Sequence, residues 1–174
     1  GTAVRDGIAL HGADNIAEGD VLISNHAETL GQHLNNVVMY TPIRAERGHG
    51  EIVAYFCILM HWIDVGGILV GSSTSTSTTE IFQEGIQFRS VKLMHRGERS
   101  EDMFRMIRYN TRFPDELIGD VEAQIAGCLL GRDMVRQIVG KYGVDRFRSA
   151  ITTMRDHARH LSKVAIEAAP KGEF

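Results

Sequence analysis

Four side chains in this sequence have the types and positions to hold a divalent metal: His26, His33, His61 and Asp64. Each comes after a short apolar run, and three imidazoles with one carboxylate make a sensible ligand set for zinc, manganese or iron. His61 and Asp64 close the stretch EIVAYFCILMHWIDVGG, from Glu51 to Gly67. Its two final glycines allow the sharp turn that a chain makes beside an ion or ligand. A plainer reading is a core strand ended by a turn, with His61 and Asp64 hydrogen-bonded only to each other. Glu80 and Glu84 are the next candidates, either as a base or as a partner that orients a histidine, or simply to fix their loop. Asp120 and Gln124, four apart on one helix face, rank behind them. His157 and His160 stand three apart without a nearby carboxylate and read as an exposed helix face.

The elements that must position these residues fall into two kinds. Val4 to His11 has helical spacing and stops at Gly12. Val21 to Ser24 is a short buried strand that delivers Asn25 and His26. Val37 to Ile43 is a strand expected to stop at Pro42, and Arg44 to Gly50 is a hairpin-like loop. Ile52 to Met60 carries almost no charge, is too short to span a bilayer, and reads as a central strand ending at His61. SSTSTSTT, from Ser72 to Thr79, is a loop, either a solvated linker or a surface facing substrate or an anion. Ile86 to Leu93 is expected as an edge strand. Beyond Ser100 the period changes: a short helix runs to Asn110, Asp115 to Tyr142 forms a long helix with Pro114 in its first turn and a possible break at Gly131, and Asp145 to Ala169 forms another. The expected fold class is therefore α+β, with a β-rich part over 1–99 carrying the polar site and a helical part over 100–174 of the same domain, the two long helices lying as an antiparallel hairpin.

Composition narrows the function classes. With 174 residues, 43% of them hydrophobic, the chain can build a core, and its net charge of -3 gives no general pull toward nucleic acid or anionic lipid. No basic patch interleaved with aromatics and no transmembrane run is present, so neither nucleic acid nor membrane is an expected partner. Cys57 and Cys128 lie in apolar runs and are expected to be reduced and buried, which suits a cytoplasmic protein.

Four motifs, SNHAETLGQHLNNVVMYTP, HWIDVGG, TTEIFQEGIQFRSVKL and GDVEAQIAGCLLG, resemble in their order and separation the hydantoinase B/oxoprolinase family, which includes the large subunits of acetone and acetophenone carboxylases. The resemblance covers nearly the whole chain. It implies one subunit of an ATP-dependent hetero-oligomer in which a hydantoinase A-like partner takes part and a carbonyl oxygen is activated by phosphorylation. The products are carboxylated ketones, or hydrolysed cyclic amides such as hydantoin, oxoproline or a lactam. The chain has no glycine-rich GxxxxGK[ST] loop, consistent with ATP and magnesium being held mainly by the partner. Relatives carry sequence on both sides of this stretch, so a fragment or trimmed subunit is expected.

The family's His-x-x-Asp-Val-Gly-Gly pattern is intact from His61 to Gly67. Where many relatives have Asn-Asp-Pro this chain has Asn25-His26-Ala27, and where they have a histidine followed three residues on by aspartate it has His33 and Asn36. A site with fewer carboxylates would hold a metal with less negative charge and leave it more electrophilic. This departure inclines the reading toward ketone carboxylation, with cyclic-amide hydrolysis as the alternative. A different class, a metal-free assembly module packing its helices on other subunits, stays open.

Overall fold

Runs rich in β-branched and aromatic residues supply the strands, and the computed structural model, which describes residues 1–73, 75–170 and 172, pairs them into one antiparallel sheet. The strands are β1 (Val21–Ser24), β2 (Asn36–Glu46), β3 (His49–His61), β4 (Val91–His95) and β5 (Glu98–Arg99), in the order β3-β2-β1-β4-β5. The helices are α1 (Thr2–His11), the single turn α2 (Ala27–Leu30), α3 (Glu101–Tyr109), α4 (Pro114–Tyr142) and α5 (Val144–Ala168). The change from strand to helix falls between Arg99 and Glu101. Among the described residues no helix is long and apolar enough to cross a membrane.

Side chains alternate between the two faces of the sheet. On one face Val21, Ile23, Val37 and Met39 form a core with Phe104 and Ile107 of α3 and with Leu117, Val121, Ile125 and Cys128 of α4. On the other, Leu22 and Tyr40 pack with Ala3 and Val4 of α1 and with Ile16. The stripe of α4 expected to pack in a helical hairpin is thus covered by the sheet. The break expected at Gly131 is absent, and α4 is continuous. Gly127 and Gly131 act instead as notches: a β-carbon on Gly127 would stand 2.7 Å from Ile58 Cδ1, and one on Gly131 would overlap the Phe56 ring.

Three expectations about the strands need correction. The run Ile52 to Met60 lies in β3, which is an edge strand and not a central one. A nearly continuous apolar run normally means burial on both faces, but here Ile58 and Met60 pack on the helix-covered core while Leu59 on the opposite face is 56% exposed. Cys57 shares that open face and is exposed, so only Cys128 is buried as expected; both thiols are free. Pro42 does not end β2, because β1 pairs only with Val38 to Tyr40. Beyond that point β2 has β3 as its one neighbour, where a residue lacking an N–H is tolerated. The expected edge strand Ile86 to Leu93 begins only at Val91, and β4 is internal, between β1 and β5.

Gln124 locks α4 to the sheet. Its Oε1 accepts from Trp62 Nε1 (3.0 Å) and its Nε2 donates to the carbonyls of Val37 (3.1 Å) and Ile58 (3.0 Å). Both Gln124 and Trp62 are buried. Gln124→Leu keeps the volume but strands the indole N–H and two carbonyls. Stranding a buried polar group costs about 1–3 kcal/mol, and thermal denaturation should show a loss of at least that size.

The chain divides into two compact units, 1–136 and 137–174. The second consists of the end of α4, a turn at Gly143 (φ 83°) and α5. In α5 no residue is buried, and Ile151, Met154 and Leu161 of its expected apolar stripe are exposed.

Candidate functional site

Three buried polar side chains fix the loops that carry the candidate residues. Asn25 Nδ2 donates to the carbonyls of Leu34 (2.8 Å) and Ile86 (3.0 Å), while its Oδ1 accepts from Phe88 N–H (2.6 Å). Asn35 Nδ2 donates to the carbonyls of Trp62 (2.8 Å) and Gly71 (3.0 Å), and Trp62 N–H donates back to Asn35 O (2.8 Å). Asp64 is the third. These contacts hold the start of β2 against the end of β3.

On that frame His33 and His61 come together, with ring centroids 5.7 Å apart. Glu84 joins them: its Oε2 lies 2.6 Å from His33 Nδ1 and accepts from Leu34 N–H at 3.1 Å. A carboxylate on Nδ1 fixes the ring and leaves the Nε2 lone pair of the neutral imidazole directed elsewhere. Asn36 stands directly across the ladder from His61, which puts their side chains on the same face as neighbours. Gln32 Nε2 donates to Asn36 O (2.7 Å). His33, Asn36, His61 and Glu84 therefore form one cluster.

Asp64 goes elsewhere. Its carboxylate is fully buried. Oδ1 accepts from Gly66 N–H (2.9 Å) and Arg112 N–H (3.3 Å), and Oδ2 from Gly71 N–H (2.9 Å) and Arg112 Nη1 (2.9 Å). Burial alone would raise its pKa, but hydrogen bonds from Gly66, Arg112 and Gly71 outweigh that and hold it below the usual carboxylate range. Arg112 also donates to the carbonyls of Gly66 (3.2 Å), Leu69 (3.2 Å) and Gly67 (2.6 Å). With four donors on its two oxygens, the expected metal ligand Asp64 acts as a clamp on the glycine turn. His26 is likewise engaged locally, with Nδ1 2.8 Å from Thr29 Oγ1 at the start of α2. Among the described residues no three His, Cys, Asp or Glu side chains stand in metal-ligand geometry.

Of the two expected catalytic glutamates, Glu84 contacts His33 and Glu80 forms a reciprocal cap with Gln83 at the short turn Ile81–Gln83. The serine- and threonine-rich stretch is divided in role. Ser72 Oγ accepts from Val65 N–H (2.7 Å) and donates to Gly66 O (2.9 Å), while Ser75, Ser77 and Thr78 bond among themselves near the surface; Thr74 lies outside the described residues. Sequence reasoning passed over Asn25, Asn35 and Arg112. The signal available for the first two was an asparagine directly beside a strand end, adjoining each candidate histidine; for Arg112 there was none.

An antiparallel sheet backed by α3 and α4, with paired histidines at the β2 and β3 ends, defines the class of protein. The family model described as hydantoinase B/oxoprolinase matches residues 1–174, and the chain belongs to that family. It is 32% identical over 161 residues to the caprolactamase subunit beta of Pseudomonas jessenii, covering 92% of this chain and 27% of that protein. The crystal structure of the ATP-dependent caprolactamase from P. jessenii superposes with a TM-score of 0.84 at 30% identity, covering 98% of this chain and 28% of that one. A nucleotide-free acetone carboxylase structure gives a TM-score of 0.71 at 18% identity, over 83% of this chain and 18% of that one, a likeness of fold. The chain thus spans roughly a quarter of the length of the caprolactamase subunit it matches.

Proposed function

We propose that this chain is the histidine-bearing part of a hydantoinase B-type subunit acting in the ATP-dependent hydrolysis of a cyclic amide, together with a hydantoinase A-like partner that holds ATP and magnesium. The His33–Glu84 pair beside His61 carries the reading, because an oriented imidazole next to a second one is arranged to present nitrogen lone pairs at one place. Cyclic-amide hydrolysis is preferred to ketone carboxylation because caprolactamase is the relative similar in both sequence and structure, whereas acetone carboxylase is alike only in fold.

His33 and His61 fit a divalent metal such as zinc, manganese or iron; His26 and Asp64, engaged with Thr29 and Arg112, fit it less well. Such an ion, when bound, would polarise a carbonyl. Glu84 holds the His33 ring in place. Asn36, neutral where many relatives have an aspartate, offers an amide N–H donor and a carbonyl acceptor toward the same place without adding charge.

The test uses the complete subunit combined with its partner, ATP and a lactam, with release of the amino acid and ADP as readout. Turnover should require both proteins. His61→Ala should reduce it at least as much as the roughly 10- to 100-fold seen when groups supporting a ligand are removed, with the thermal midpoint little changed. Full activity of the His33→Ala, His61→Ala double variant would sink the reading and favour a purely structural role.

A further inference from the structure

The open face of the sheet carries a cavity that the reaction proposed above does not use. It has a volume of about 310 Å³ and is lined by Val4, Leu30, Gln32, Val38, Cys57 and Leu59 among others, with no Asp, Glu, Lys or Arg side chain in its wall. That volume is at the small end of the range for ligand sites. Its place follows from register. Val38 pairs with Leu59, and two residues along each strand Asn36 pairs with His61. Alternation puts both pairs on the same face, about 7 Å apart. Gln32 spans the two, since it lines the cavity and donates to Asn36 O.

We propose that this cleft receives the hydrocarbon ring of an uncharged cyclic amide, with the amide end toward Asn36 and His61. The proposal rests on the cyclic-amide reading and specifies its substrate class. The walls are aliphatic except for a thiol and the Gln32 amide. Only one Gln32 donor is engaged by Asn36, so its carbonyl oxygen remains to accept the amide N–H. Burial of each ring methylene should tighten binding about fourfold. A ring bearing a carboxylate finds no cation in the wall, and an unpaired buried charge is strongly disfavoured. Lactams should therefore bind in order of ring size, and 5-oxoproline should not compete.

Cys57 makes the site measurable without turnover, because it is exposed and lines the cavity whereas Cys128 is buried. In the complete subunit, alkylation of Cys57 by iodoacetamide is followed by mass spectrometry with no addition, with 2-pyrrolidinone, with ε-caprolactam and with 5-oxoproline. The expected result is saturable protection of Cys57, reached at about 10-fold lower concentration for caprolactam than for pyrrolidinone, and none by oxoproline. Leu59→Lys, a change at a largely exposed position, should weaken caprolactam protection and introduce protection by oxoproline. Absence of protection by any lactam, or equal protection by oxoproline in the unaltered protein, overturns the proposal. Lactam hydrolysis without Cys57 protection removes this cleft and leaves the proposed reaction standing. Protection without ATP-dependent hydrolysis leaves the cleft and removes the reaction.

Discussion

Arg112→Ala should destabilise the protein by about 2–4 kcal/mol. Breaking a fully buried ion pair typically costs roughly 3–5 kcal/mol, and the lower range applies because the Arg112 side chain is 37% exposed and water screens its charge. Asp64 would keep three backbone donors, from Gly66, Gly71 and residue 112, but would lose its only cation while remaining buried. Three carbonyls of the 66–69 turn would lose their donor as well. Arg112→Lys should recover only part of this, since one ammonium cannot reproduce a planar fork with several acceptors.

The pH dependence of Arg112→Ala has a defined sign. Asp64 has a depressed pKa in the folded protein, so its stabilising contribution is fully present above the unfolded carboxylate value near about 3.9. It is lost as pH falls through the lower folded value. The difference between wild type and Arg112→Ala should therefore be constant at neutral pH and narrow below about pH 4, where protonation removes the charge that Arg112 pairs. Thermal melts at pH 7 and at pH 3.5 measure it. An unchanged difference at the two pH values would mean that Arg112 acts only through the carbonyls of the turn.

Gly85→Ala should be about as damaging, by a different mechanism. Gly85 has φ 135°, and a β-carbon there would overlap the Val65 carbonyl oxygen and stand 2.7 Å from its carbonyl carbon. Both are backbone atoms, and Ile86 N–H donates to the same oxygen at 2.9 Å, so no side chain can swing aside. Overpacking costs roughly 1–3 kcal/mol and a strained backbone conformation roughly 1–3 kcal/mol. A loss of about 4 kcal/mol corresponds to a midpoint roughly 10 °C lower for a chain of this size. The glycine lies between Glu84 and the Val65 contact, so the His33–Glu84 pair should also be disturbed and activity should fall with stability. Gly119→Ala is the control: a β-carbon there meets nothing within 4 Å, and removing a helical glycine should gain up to about 1 kcal/mol. If Gly85→Ala melts like Gly119→Ala, the close approach of the two glycine turns is not a constraint.

Much of the local structure was legible in the sequence. Apolar periodicity located Val21–Ser24 as a strand and placed α4 from its initial proline to Tyr142, because side-chain spacing reports directly which face is buried. The switch from strands to helices near residue 100 was visible for the same reason. The four motifs identified the family over nearly the whole chain. Adjacency of His33 and His61 was anticipated from their positions at strand ends, and Glu84 was named as a partner for a histidine.

Tertiary structure decided which groups meet. Nothing local distinguishes an edge strand from a central one when its apolar run is continuous; the order β3-β2-β1-β4-β5 depends on pairings between distant segments. The same holds for Asp64, which sits three residues after His61 yet bonds to Arg112, 48 residues away. A carboxylate taken out of water goes to whichever donors the fold brings to it, and those donors come from a turn and a helix end that share no sequence pattern with it. Register likewise put Asn36 opposite His61 and opened the cleft beside them. Periodicity within a strand says which side chains share a face, but which residue of the neighbouring strand stands opposite is set by the turn that joins the two and by the packing of both against the helices.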